Sequence, residues 1–109
     1  MNSTLPVVSL EQLWSELWVS LASLLRSYIT LHGLSSNQQA TVESGEKHIL
    51  ARHGEHWLKL QREGSRVNWQ REDGLSEALE LTEAGRLLGS SGEEEMDMAA
   101  EAWARELMQ

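Results

Sequence analysis

Two clusters of side chains in this chain could do chemistry, and each has a plainer role open to it. The first is His53-Gly54-Glu55-His56, with His48 nearby. Imidazole beside carboxylate suits divalent transition metals. On a hairpin tip, however, the two histidine side chains are expected to diverge and face water, no third convergent ligand is evident, and the HExxH zinc pattern is absent. The second cluster is Glu93, Glu94, Glu95 and Asp97. Such a ridge binds hard cations weakly. The same acids in the first turn of a helix would meet the positive end of its dipole, which is the simpler expectation. The metal candidates are therefore weak ones, His53, His56 and Glu94, and no cofactor is expected.

Nucleophilic catalysis has little to work with. Cysteine is absent, no GxSxG elbow occurs, and the serines have no patterned His–Asp partner. Glycine spacing matches neither a P-loop nor GxGxxG. The expectation is a protein that is not an enzyme.

Recognition chemistry is better represented. Trp57 and Leu50, ringed by His48, Arg52, Lys59, Gln61, Asn68 and Gln70, combine an aromatic anchor with positive charge and amides. These residues belong together only if they share one face of a sheet.

That sheet is announced by glycines at 45, 54, 64, 74 and 85, each among turn-prone or charged neighbours. Between them lie short runs alternating apolar with polar residues, the signature of an antiparallel meander. The alternation predicts strands at about 39–43, 47–52, 56–62, 66–71 and 78–82, with a short sixth at 86–88. Two-residue turns would put Ala40, Val42, Ile49, Ala51, Leu58, Leu60, Val67, Trp69, Leu79 and Leu81 on one face. The recognition residues then fall on the other, with Leu50 and Trp57 nearly opposite each other and Trp57 exposed.

Helices flank the meander. Residues 9–32 carry Leu10, Trp14, Leu17, Leu21, Leu24, Tyr28 and Leu31 at helical spacing, with Leu13, Trp18, Leu25 and Ile29 widening the stripe. Ser9 and Gln12 read as a capping box. Ser91 with Glu94 reads as the start of a second helix at 93–108, whose inner stripe is Met96, Ala100, Trp103 and Leu107. The expectation is one α+β domain over residues 1–109: two layers, a five- or six-stranded meander, and both helices on its apolar face. Trp14, Trp69 and Trp103 should be buried between the layers.

Charge narrows the partners. The net charge is −8, but residues 47–71 carry six basic side chains against two acidic ones, and residues 72–109 carry eleven acids against two bases. A basic sheet between acidic flanks favours a protein partner or self-association, and a homodimer is expected. Single-stranded nucleic acid is the weaker choice, because one exposed aromatic is too few for a stacking platform. No stretch is apolar enough to span a membrane and no signal peptide is evident, so the expected location is cytoplasmic.

Two resemblances bear on this reading. Leu81-Thr82-Glu83-Ala84-Gly85-Arg86 resembles the stretch closing the wing in winged-helix regulators of the MarR type. The family's recognition helix would have to lie within 33–71, where the period is two, so DNA reading is not implied. The helix–meander–helix order and acidity are similar in layout to frataxin, a small acidic protein of iron–sulfur assembly. The likeness carries no functional residue across, and it makes metal handling the second reading behind an interaction module.

Overall fold

Gly54 and Gly64 turn the chain at φ of 63° and 61°, and among the described residues only glycines have positive φ. With positive φ confined to the first central residue, Gly54-Glu55 and Gly64-Ser65 form type II′ hairpin turns, whose twist matches that of the strands they join. The meander of the computed structural model follows from such turns. The structure describes residues 6–34 and 39–109, and of residues 6–9 the backbone only.

Among the described residues, seven strands form one antiparallel sheet in sequence order: β1 Ala40–Ser44, β2 His48–His53, β3 His56–Glu63, β4 Arg66–Arg71, β5 Ser76–Leu81, β6 Arg86–Gly89 and β7 Gly92–Glu95. Pairings of Ile49 with Leu60, Ala51 with Leu58, Leu60 with Trp69 and Val67 with Leu79 fix the register. The apolar face expected from alternation is the observed one. The strand count corrects the expected five or six to seven.

The extra strand is β7, and it moves the start of the last helix. Glu93 and Glu95 pair across the sheet with Leu88 and Arg86. Arg86 holds both carboxylates, at 3.3 and 2.9 Å. Helix α2 runs Met96–Leu107, with Glu95 extended at its N-cap and making no side-chain cap bond. Glu93 and Glu94 therefore lie on a strand ahead of the helix and Glu95 at its N-cap; of the acidic cluster, Asp97 alone stands in the first turn. Helix α1 spans Pro6–His32. It begins before Ser9, which is thus not its cap, and proline suits a first helical position.

Both helices lie on the apolar face of the sheet. Helix α1 packs against α2 and β1, and α2 against β3, β6 and β7. Trp69 and Trp103 are buried as expected, their rings 6.4 Å apart. Trp14 is only half-buried and Leu31 is exposed. The fully covered side of α1 is instead Trp18, Leu21, Ala22, Leu25 and Ile29. The wide apolar arc is thus docked by one flank rather than along its middle.

That flank is pinned at Trp18, whose indole N–H donates to the Gly45 carbonyl at 3.0 Å. Above the ring lies Arg62, its carbon Cζ 6.0 Å from the ring centre. Arg62 follows Leu58 and Leu60 on the inward side of β3 and its side chain is 1% exposed. It donates to the carbonyls of Gly64 at 2.9 Å and Glu46 at 3.2 Å, and more loosely to Glu11 and Ser15 at 3.4 Å.

The helices are joined at their crossing by Tyr28, which donates to Asp97 at 2.6 Å, and by His32, which donates to Glu101 at 3.0 Å. The hydrogen bond to Asp97 raises the Tyr28 pKa above its ordinary value, with desolvation and the nearby negative charges adding to it. A raised folded-state pKa stabilises below the ordinary phenol value and is lost as pH rises through the folded one. Ultraviolet titration of the chain's one tyrosine should give a midpoint above about 10. Asp97→Ala should lower it; an unchanged midpoint would mean the bond does not persist in solution.

Candidate functional site

With both helices on one side, the opposite face of the sheet is open. Each proposed recognition residue lies on it, on three adjacent strands. Across β2, β3 and β4, His48 pairs with Gln61, which pairs with Asn68; Leu50 pairs with Lys59, which pairs with Gln70. Arg52 pairs with Trp57. Leu50 is therefore diagonal to Trp57 rather than opposite it, a spacing still within reach of an indole.

Trp57 is half-buried, not exposed as expected. Glu72, beyond the end of β4, closes on the same corner. Its carboxylate accepts the Trp57 backbone N–H at 3.0 Å and the His56 Nδ1–H at 2.9 Å, closing the chain over this corner. The His56 hydrogen bond, followed by the Trp57 N–H, holds the Glu72 carboxyl below the usual range. Beside the indole lies a shallow hollow of about 310 Å³, walled by Gln70, Glu72, Gly74 and Ser76.

The charges on this face are unevenly satisfied. Arg66 lies 3.7 Å from Glu80, and Arg86 is held twice on β6 and β7. No carboxylate among the described residues comes within ion-pair distance of Arg52 or Lys59. These two cations flank Trp57 and Leu50, so the patch presents free positive charge on a chain of net charge −8.

The metal candidates do not assemble. His53 and His56 are register partners across their turn, and both line one hollow with Gly54, Glu55 and Gln109. Their expected divergence is thus corrected. So is the expectation that both face water, because His53 is 8% exposed on the helix side of the sheet. Glu94 is on β7, four strands from β3, or about 19 Å at ordinary strand spacing. No group of three or more His, Cys, Asp or Glu among the described residues could hold a metal ion.

The sequence reading overlooked two inward residues, His53 and Arg62. Strand parity was the available signal: His53 continues Ile49 and Ala51, and Arg62 continues Leu58 and Leu60. Polar identity masked it. Among the described residues no helix is long and apolar enough to cross a membrane. No protein-family model matches this chain, and no curated protein or solved structure matches it either.

Proposed function

We propose that this chain is a small non-catalytic interaction module, whose open sheet face docks an acidic segment of a partner protein. The observation that carries the reading is the pair of unmatched cations, Arg52 and Lys59, beside Trp57 and Leu50 on the face both helices leave free. An aromatic anchor, a neighbouring aliphatic side chain and amides at Gln61, Asn68 and Gln70 supply apolar area and orientation. The cations supply attraction and select against basic partners.

Charge reversal at both cations tests this without disturbing the core. Arg52→Glu with Lys59→Glu should keep the melting temperature within a few degrees, as surface changes do. It should abolish capture of proteins that the unaltered chain retains at low salt and releases at high salt. Arg105→Glu, on the far side of the molecule, should change nothing. Trp57→Ala is the less clean probe, since a half-buried indole contributes to folding as well as to docking. Equal capture by the charge-reversed and unaltered chains would rule this face out.

A further inference from the structure

The two edges of the sheet are chemically unequal. β7 carries Glu93, Glu94 and Glu95 in four residues. Any antiparallel self-pairing along it sets glutamate against glutamate, which is how natural sheets guard an edge. β1, Ala-Thr-Val-Glu-Ser, has one charge and a β-branched centre. It lacks that guard.

The backbone direction on β1 follows from its turn. Gly45 donates its N–H to the His48 carbonyl at 2.9 Å. Antiparallel bonding alternates from there, so Glu43 and Thr41 bond to β2 while Ser44, Val42 and Ala40 turn their N–H and C=O groups outward. No described residue bonds to those outward groups.

From this we infer that β1 pairs antiparallel with β1 of a second copy, about a two-fold axis at Val42, to form one continuous sheet. Oppositely running copies in this register exchange about six backbone hydrogen bonds, two at Val42 and two at each Ala40–Ser44 pairing. On the open face, Thr41 of each copy meets Glu43 of the other, so no like charges oppose. On the helix face, a hollow of about 460 Å³ bounded by Ile29, Gly33, Leu34, Ala40 and Met108 runs up to this edge. Leu34, 76% exposed there, gives the second copy apolar surface to cover. The arrangement also joins the two open faces. Five strand intervals and the small offset along the strands separate the two Trp57 side chains by about 25 Å, so a partner with two acidic segments would meet both.

Three variants read out by sedimentation equilibrium test the pairing, with circular dichroism as the check on folding. Val42→Pro removes an N–H that the chain itself does not use, at an edge position where proline is tolerated. It should give a folded monomer. Thr41→Glu places the new carboxylate opposite Glu43 of the other copy twice over, and should raise the dissociation constant about fivefold to tenfold. Adding Glu43→Lys should restore it, because each new acid then faces a new base. Self-association should survive Arg52→Glu with Lys59→Glu, so the edge and the open face fail separately. An unaltered chain that stays monomeric at all concentrations overturns the inference. So does a dimer insensitive to Thr41→Glu, or one lost on charge reversal of the open face alone.

Discussion

Trp18→Ala is expected to destabilise the fold by about 3–5 kcal/mol, the range for deleting a buried tryptophan. The residue is 1% exposed, at the point where α1 meets the ends of β2 and β3. Its removal opens a cavity in the buried core, takes away the donor that the Gly45 carbonyl accepts at 3.0 Å, and removes the surface beneath Arg62. Typical domains are stable by only about 5–15 kcal/mol, so this one change consumes a large part of the margin. Chemical denaturation of the variant measures it. A loss below about 1 kcal/mol would place α1 elsewhere on the sheet. Trp14→Ala should cost clearly less, because Trp14 is half-buried.

The second large effect is expected from Arg62→Ala, at about 3 kcal/mol. A charged donor to a carbonyl contributes roughly 1.5–3 kcal/mol, and Arg62 makes two such bonds, at 2.9 and 3.2 Å. Against them stands the cost of burying a guanidinium whose Nε finds no partner. The bonds decide the sign, because truncation removes both charged donors and leaves an empty space over Trp18. The carboxylate contributes little: Glu11 is more than half exposed and 3.4 Å away, so Glu11→Gln should change stability by less than about 1 kcal/mol. A larger loss from Glu11→Gln than from Arg62→Ala would show that ion pairing, not carbonyl bonding, holds the guanidinium.

Period-two alternation and turn glycines carried most of the fold from the sequence. From Ile49 to Leu81 every expected inward residue is inward, because a one-residue slip would have exposed the whole set. Helix α1 was less legible. Its apolar arc is wide enough that periodicity gives its centre without giving its docked flank, and the structure prefers the side holding Trp18 and Leu25 over that holding Trp14 and Leu31. β7 was not legible at all. Three consecutive glutamates have poor strand propensity and good helix-start character, yet they pair along β6, where Arg86 holds Glu93 and Glu95. At the site, the shared face was readable from parity. The half-burial of Trp57 was not, since alternation gives the face of a side chain and not how closely its neighbours crowd it.

The crossing of α1 and α2 has a consequence for how the molecule comes into being. The strands pair with their sequence neighbours, so each hairpin can close within moments of its second strand leaving the ribosome. Helix α1 is made before any of them, and its partner α2 is made last: Tyr28 and Asp97 are 69 residues apart. At about 5–20 residues per second, the side of α1 that α2 covers waits several seconds for that contact. For that interval the nascent chain offers the α2-facing side of α1 to any chaperone that binds such surfaces, while the flank pinned at Trp18 can already dock on Gly45 and Arg62.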